Sequence, residues 1–237
     1  MSNTARLSDL RLRVRRMSDM VNSSFVEEDE LTQYINDSLT DLYDIFVNQY
    51  EEYVVTKIDA TLSGDGEYSI TDDFGIDDFM KIIGIDLTTG SGSSRPITLQ
   101  RYMFAERNTV NQMPIVSPIT GSNLQYAVLG NTINFLNDNG SLGITIWYIP
   151  IFTPMIEADQ IDDVMPFLAP GWEEYAVVSA SIKCLQKEES NTKDLEIRLR
   201  RIANRIDGIA MNRDAGAPYR VIDVNRSQYA SDWSYDV

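Results

Sequence analysis

The stretch at residues 27–53, EEDELTQYINDSLTDLYDIFVNQYEEY, decides the fold of this chain. Apolar and aromatic side chains recur in it every three or four residues, the period of an α-helix with one buried face. They are Leu31, Ile35, Leu39, Leu42, Phe46, Tyr50 and Tyr53. Ser24 lies three residues before Glu27, a spacing typical of a capping box at a helix start. We therefore predict one amphipathic helix roughly 40 Å long, which needs partner helices to bury its stripe.

Three other segments with helical periodicity lie near the two ends of the chain. The first covers residues 5–20, the second begins at Trp172 and runs to Lys187, and the third carries a near-heptad stripe over residues 195–209. Four stripes of this kind can bury one another. We therefore predict a bundle of about four helices, contributed by both chain ends.

Between residues 56 and 152 the pattern changes from helical to strand-like. Seven short segments there are rich in β-branched and aromatic residues and are separated by turn residues. They are residues 57–62, 67–70, 80–87, 97–101, 125–129, 132–136 and 144–148. The turns at residues 130–131 and 137–140 flank the sixth segment, which predicts a meander in which it pairs with the segments on both sides. The overall prediction for this part is a small antiparallel β domain.

Two irregular segments of the β region have predictions of their own. Residues 88–95, TTGSGSSR, are flexible in composition and are expected to form an exposed hairpin tip. Residues 102–108 are expected to form a single helical turn that packs Tyr102 and Phe104 inward.

The predicted fold class is accordingly α+β, with the β domain inserted into the helical bundle. Residues 1–55 and 155–211 are predicted to form the bundle, residues 56–154 the β domain, and residues 212–237 an extended C-terminal tail.

The composition excludes several classes of function. The chain has 237 residues, 43% of them hydrophobic, which suffices for a packed core, and a net charge of -16, which argues against gripping nucleic acid. It has no histidine, so the commonest general base and metal ligand are absent. The lone Cys184 permits no internal disulfide and is predicted to be a small buried side chain. No apolar run is long enough to cross a membrane, so we expect no membrane among its partners. Without histidine and with a single cysteine, we also expect no cofactor.

Charge is unevenly distributed along the chain. Residues 1–23 hold five arginines against two acids, whereas residues 24–94 hold seventeen acids against two lysines. A second basic cluster lies in the last predicted helix. Two interpretations are open: a solvated helix surface, or arginines that meet the acidic helix or a neighbouring copy of it. The second predicts inter-subunit roles for Arg13, Arg16, Asp37, Asp41, Asp44, Arg198, Arg201 and Arg205.

Four aspartates are a candidate for catalytic chemistry. Asp72, Asp73, Asp77 and Asp78 form two pairs five residues apart, which could approach a two-metal hydrolase site. They surround the predicted turn at Phe74 and Gly75, and a solvent-facing loop is the favoured interpretation. We predict no catalytic, metal or cofactor site.

The helical pattern stops before the last 26 residues, which carry aromatic side chains that we expect to be exposed. Tyr and Trp side chains dominate binding hot spots, so we predict that this tail docks on another protein. The predicted contact residues are Pro218, Tyr219, Arg220, Val221, Ile222, Arg226, Tyr229, Trp233 and Tyr235.

Several stretches together resemble the head-to-tail adaptor proteins, also called connector or neck proteins, of tailed bacteriophages. They include Phe25-Val26 with Tyr34-Ile35-Asn36, residues 78–86 (DFMKIIGID after Asp77), residues 144–150, and the closing residues 213–224. The resemblance spans most of the chain and consists of packing patterns rather than catalytic signatures.

The resemblance implies a structural, non-enzymatic virion protein. It would form a neck ring, usually of about twelve copies, between the portal protein and a tail or nozzle protein, after synthesis in the host cytoplasm. The tail would clamp the portal, the β domain would face the next tail component or the adjacent subunit, and an acidic bore would let DNA pass without binding its sequence. The alternatives are a non-viral soluble oligomeric adaptor and the metal-dependent hydrolase.

Overall fold

The computed structural model describes residues 6–88, 96–110, 124–138, 140, 142–156 and 171–210. These residues form a mixed α+β structure with four main helices and two small sheets, in agreement with the predicted α+β class. Most of the predicted hairpin tip and all of the predicted tail lie outside the described residues.

The four main helices share one hydrophobic core. They are α1 (Leu7–Met17), α2 (Glu28–Gln49), α4 (Glu173–Lys187) and α5 (Lys193–Ala210), and α3 is a short helix at Arg107–Val110. The predicted α2 stripe is confirmed for Leu31, Ile35, Leu39, Leu42 and Phe46, which are fully buried. Buried residues of α1, α4 and α5 complete the core around this stripe.

Both N-terminal helices are shorter than predicted. The helix α2 ends at Gln49, and residues Glu51–Tyr53 form a separate 3-10 turn. The predicted capping box is wrong, because Glu27 itself is the N-cap residue and Ser24 lies too far back to reach the first free amides. The helix α1 ends at Met17, because Asp19 adopts a left-handed φ of 57° that stops the helical turn.

The strands form two four-stranded sheets. Sheet A has the order β1-β8-β3-β4 and sheet B the order β2-β7-β6-β5. The strands are β1 (Thr56–Leu62), β2 (Glu67–Ser69), β3 (Phe79–Thr88), β4 (Ile97–Thr98), β5 (Gln100–Arg101), β6 (Gln125–Leu129), β7 (Thr132–Leu136) and β8 (Leu142–Pro150). All pairs are antiparallel except β5 with β6. Apolar residues from both sheets meet in a second hydrophobic core.

The pairing differs from the predicted meander at one strand. The strand β7 does pair on both sides, with β6 and β2, but β8 belongs to the other sheet. Alternation explains the change. Residues Ile144 and Ile146 of β8 are fully buried against the second core, and Ile149, on the opposite face, is buried in the helical core. The strand β8 therefore contributes to both hydrophobic cores, and β2 occupies the place beside β7 that the meander assigned to β8.

The segment predicted to turn inward after β5 does so only in part. Tyr102 is buried, but Phe104 is 47% exposed, so its predicted inward packing is wrong. A 3-10 turn at Phe104–Glu106 leads directly into α3 and directs the Phe104 ring outward, where the Arg107 guanidinium lies 4.2 Å from its centroid.

Aromatic side chains connect the helices to the sheets. The Trp172 ring lies 4.6 Å from the Phe46 ring and 5.3 Å from the Tyr53 ring, measured between centroids. The Tyr43 hydroxyl donates a hydrogen bond of 2.6 Å to the Pro150 carbonyl at the end of β8. The C-terminal end of α2, the start of α4 and the end of β8 therefore meet at one junction.

Candidate assembly surfaces

The acidic side of α2 is partly neutralised by its own chain. Asp37, Asp41 and Asp44, all predicted to contact a neighbouring copy, are exposed. The Lys183 Nζ of α4 lies 3.6 Å from Asp37 Oδ2 and 3.9 Å from Asp41 Oδ2. Asp44 makes no ion pair within the described part of the chain. Of the three, Asp44 is therefore the one whose charge remains uncompensated.

Three of the predicted inter-subunit arginines contact the start of α4 in the same chain. Arg13 Nη1 lies 3.4 Å from Glu173 Oε1, and Arg198 forms an ion pair with Glu174. Arg205 Nη2 lies 4.0 Å from Glu174 Oε2 and donates a 3.2 Å hydrogen bond to the Gly171 carbonyl. These contacts attach α1 and α5 to the first turn of α4, where acidic side chains also suit the helix dipole.

The remaining two predicted arginines are available for another molecule. Arg16 on α1 and Arg201 on α5 are exposed and form no ion pair with any residue that the structure describes. None of the five predicted arginines is brought to Asp37, Asp41 or Asp44. A contact between the arginines and the acidic face therefore stays a prediction about two copies of the chain.

Two arginines that the sequence analysis did not single out join α1 to α2. Arg15 Nη2 lies 2.6 Å from Glu28 Oε1 and donates 3.0–3.1 Å hydrogen bonds, through its two terminal nitrogens, to the carbonyls of Ser23 and Val26. Arg11 Nε donates a 3.0 Å hydrogen bond to the Thr32 hydroxyl. The spacing of Arg11 and Arg15 on one α1 face, four residues apart, was the available signal.

The four candidate aspartates do not form a metal site. Asp73 Oδ2 accepts a 2.6 Å bond from the Ser69 amide, and Asp72 Oδ2 accepts a 2.9 Å bond from the Ser69 hydroxyl. Asp78 Oδ1 accepts a 3.2 Å bond from the Tyr148 hydroxyl, and Asp77 is exposed. In the described ranges no group of three or more Cys, Asp or Glu side chains is placed to hold a metal ion. The first pair closes a turn, and Asp78 contacts the sheet.

The outer face of sheet A carries a polar and aromatic cluster that sequence analysis missed. The Trp147 Nε1 donates a 2.8 Å hydrogen bond to Asp86 Oδ2, and Lys57 Nζ lies 5.5 Å from the centroid of the indole. The neighbouring Thr145 hydroxyl donates 2.6 Å to Asp59 Oδ1. These residues come from three adjacent strands, so only the pairing register brings them together. The half-buried Trp147 is held in one orientation.

A second surface lies beside the edge of sheet B. Met103 is 71% exposed, and with Phe104 it borders a groove of about 540 Å³ whose far wall is Ala127, Val128 and Leu129 of β6. An apolar groove beside a strand edge is a typical contact site for another protein.

Cys184 is confirmed as a buried residue of α4. Burial raises the pKa of its thiol to about 11, and Glu30 adds to this effect. The thiolate, which is the reactive form of cysteine, is therefore rare at neutral pH.

The predicted docking residues between Pro218 and Tyr235 all lie outside the described residues. No helix within the described ranges is both long and apolar enough to cross a membrane. No protein-family model matches this chain, and no curated protein sequence is detectably similar to it.

Proposed function

We propose that this chain is the subunit of a neck ring that joins the portal of a tailed phage to its tail and leaves a channel for DNA. In this proposal it is a structural protein without catalytic activity, and its C-terminal tail clamps the portal. The finer fold belongs to the proposal: a four-helix bundle of residues 1–55 and 155–211, an inserted β domain of residues 56–154, and a docking tail of residues 212–237.

The uncompensated charges on the helical part carry the proposal. Asp44 on α2, and Arg16 and Arg201 on α1 and α5, are exposed without an ion pair among the described residues. A ring needs heterologous contacts, in which two different surfaces of one subunit meet, and exposed charges of opposite sign on different helices suit such a contact.

The acidic balance of the chain supports passage of DNA through the ring. The chain has 36 acidic and 20 basic residues. Several copies around a channel would repel phosphate if their acidic sides face the bore, so DNA would slide past without binding.

The first experiment measures native mass for the purified chain, alone and mixed with portal rings from the same particle. We expect the full chain to join the portal in a number that matches the portal symmetry, and a truncation after Met211 to fail. A full chain that stays a monomer or dimer and ignores the portal would overturn the proposal. A stable dimer alone would favour the non-viral adaptor.

A second experiment tests the subunit contact through charge. Arg201→Gln and Asp44→Asn should each lower the fraction of rings at moderate salt, because the proposal places each of these charges at the contact between two copies. The matched control is Arg205→Gln, whose arginine contacts Glu174 and Gly171 of its own chain. Equal losses in all three variants would show that ring formation depends on fold stability alone.

A further inference from the structure

A cavity of about 400 Å³ lies where the end of α2 and the start of β1 meet the ends of the other sheet A strands. Its wall is mainly apolar and aromatic and includes one carboxylate. The lining residues are Tyr43, Tyr53, Val54, Val55, Thr56, Asp78, Tyr148 and Pro150. The volume lies within the range of pockets that bind a ligand. The cavity is therefore large enough for a long side chain of another molecule.

The carboxylate of Asp78 determines which kind of side chain suits the cavity. Asp78 is half-buried, and its Oδ1 accepts the hydrogen bond from Tyr148. It forms no ion pair with any residue that the structure describes. A partly buried charge is costly unless it is paired. An occupant should therefore carry a positive charge at the end of an apolar stem, as arginine does.

A second carboxylate lies close to the same cavity. Burial, with Asp78 and Asp44, raises the pKa of the wall residue Tyr43 to about 12. Because the effect of a charge declines with distance, both carboxylates lie near Tyr43. Asp44 is exposed and makes no ion pair within the described part of the chain. The surface around the cavity is therefore acidic.

Exposed apolar side chains lie beside Asp78. Ile151, whose amide donates a hydrogen bond to the Asp78 carbonyl, is 53% exposed. Met80, two residues after Asp78, is 44% exposed. Apolar surface next to a charged cavity favours another protein over a free cation as the occupant.

The helix α5 has the matching groups on its exposed side. Arg201 is exposed without an ion pair in the described ranges, and Ile197, one turn before it, is 49% exposed. Side chains four residues apart are neighbours on a helix surface. Lys193 and Arg200 are also exposed and form no ion pair with a described residue. The helix α5 therefore presents an apolar side chain and an arginine together, with further positive charge around them.

The helix α1 has a similar pair but fewer available charges. Arg16 is exposed without an ion pair among the described residues, and Leu12, one turn before it, is 42% exposed. The other arginines of α1 already contact acidic side chains of their own chain, Arg11 and Arg15 at Glu28 and Arg13 at Glu173. Charge complementarity therefore favours α5 over α1 as the partner of the acidic cavity.

We propose that Arg201 of one copy enters the Asp78 cavity of the next copy in the ring, with Ile197 packed on Ile151. The guanidinium pairs with the Asp78 carboxylate, and the stem of the arginine lies along the apolar wall. The contact joins two different surfaces of the same chain, as a ring requires. This inference rests on the proposed neck ring and identifies the surface that receives the basic helix.

Charge reversal and rescue test the contact in the native mass measurement with portal rings. Asp78→Lys and Arg201→Glu should each lower the fraction of rings at least about tenfold, and one chain with both substitutions should recover it, because the pair is restored with opposite polarity. Arg16→Glu with Asp78→Lys is the matched control and should give no recovery. Recovery with Arg16→Glu instead would overturn the assignment to α5, and rings in every single variant would overturn the contact.

A milder variant avoids a change of fold. Asp78→Asn removes the charge but keeps an oxygen that can accept the hydrogen bond from Tyr148. Asp77→Asn is the control, because Asp77 is exposed and is not among the residues that line the cavity. We expect fewer rings for Asp78→Asn alone, with both melting temperatures close to that of the wild type. Equal ring fractions in the two variants would overturn the role of Asp78.

A small probe tests the cavity without any ring. N-acetylarginine amide, titrated into the full chain, should shift the amide NMR signals of Val54, Val55 and Ile151 until they saturate. N-acetylcitrulline amide, which has a similar shape and no charge, should not. Absence of shifts with both probes would overturn the cation site, even if rings form.

The two experiments together separate this contact from the proposed function. Saturable binding of the arginine probe to a wild-type chain that forms no rings, with or without the portal, would keep the cavity and overturn the neck ring. Binding of the probe together with failed recovery in the double variant would overturn a second copy as the source of the arginine.

Discussion

The helical core and the β core differ in how the chain builds them. The helical core joins residues from the two ends of the chain, such as Leu10 of α1 and Ile206 of α5. Among the described residues, the β core draws on the part of the chain between Ile58 and Tyr148. Loop closure over long separations costs conformational entropy, so the helical core relies on dense apolar contacts to hold both ends. The comparison predicts that the two cores respond separately to mutation.

Substitutions that leave a cavity in either core should have the largest effect on the free energy of unfolding, so they test this comparison first. Phe46→Ala removes a fully buried ring that stacks on Trp172, and we expect it to lower the free energy of unfolding by about 3–5 kcal/mol. Ile133→Ala in β7 is the matched cavity in the β core, with a cost of about 2–5 kcal/mol. Denaturant melts give the magnitudes.

Hydrogen exchange on both variants shows whether the cores are independent. We expect Phe46→Ala to weaken protection mainly in α2 and α4, and Ile133→Ala mainly in β6 and β7. If either variant weakens both regions equally, the molecule unfolds as one unit and the contrast between the cores does not extend to their stability.

Two glycines within sheet A test how closely the strands β3 and β8 of the β region pack. A Cβ on Gly143 would lie 2.9 Å from the Thr88 carbonyl oxygen, so Gly143→Ala must push β8 and β3 apart, and we expect a cost of about 1–3 kcal/mol. A Cβ on Gly84 would meet nothing within 4 Å, so Gly84→Ala is the control, with no loss expected. Thermal melts of both variants check the difference. Equal melting temperatures would show that the β3–β8 contact relaxes freely.

The hydrogen bond from Tyr43 to Pro150 joins the two regions, and pH tests it. Tyr43→Phe should lower stability by about 1 kcal/mol at neutral pH. Burial, with Asp78 and Asp44, raises the pKa of Tyr43 to about 12, so its stabilisation is complete below the ordinary value near 10 and is lost as the pH rises through 12.

The stability difference between wild type and Tyr43→Phe should therefore narrow from about pH 10 to pH 12. Urea melts at pH 7, 10 and 11 measure it. A difference that stays constant over this range would contradict the pKa shift, and no difference at pH 7 would remove the bond as a connection between the regions.

The smallest expected effect is on the acidic face of α2. Lys183→Gln removes the cation beside Asp37 and Asp41, and because these groups are partly exposed we expect a loss of only about 0–1 kcal/mol, decreasing with salt. Lys193→Gln is the control, since that exposed lysine makes no ion pair within the described ranges. A loss above 2 kcal/mol would mean that Lys183 packs as part of the core. Thermal melts of both variants at low and high salt measure this loss of stability.

The strongly periodic parts of the fold could be predicted from the sequence. The α2 stripe, the α5 stripe and strands such as β6 and β7 follow from residue spacing alone, because one buried face leaves a clear period. The ends of the helices are predicted less accurately than their buried faces. The chain leaves α2 at Gln49 for a 3-10 turn, and in that turn Tyr53 packs against Trp172, a contact between residues far apart in sequence.

The surfaces could be predicted less well than the core. Arginines such as Arg13, Arg198 and Arg205 are common at interfaces. Whether each one contacts α4 of its own chain or another molecule depends on the tertiary packing. The Trp147 cluster depends on register between three strands, which spacing along one strand does not reveal. The prediction that Phe104 points inward is wrong because a single helical turn has too few residues to define a buried face.

Two of the three tryptophans, Trp147 and Trp172, can serve as fluorescence reporters of two different parts of the molecule. Trp172 is buried between aromatic rings, and Trp147 is half-buried between a carboxylate and an ammonium group on the sheet. Single-tryptophan versions should therefore emit at distinct wavelengths. Quenching of each signal would follow helix packing and sheet exposure separately.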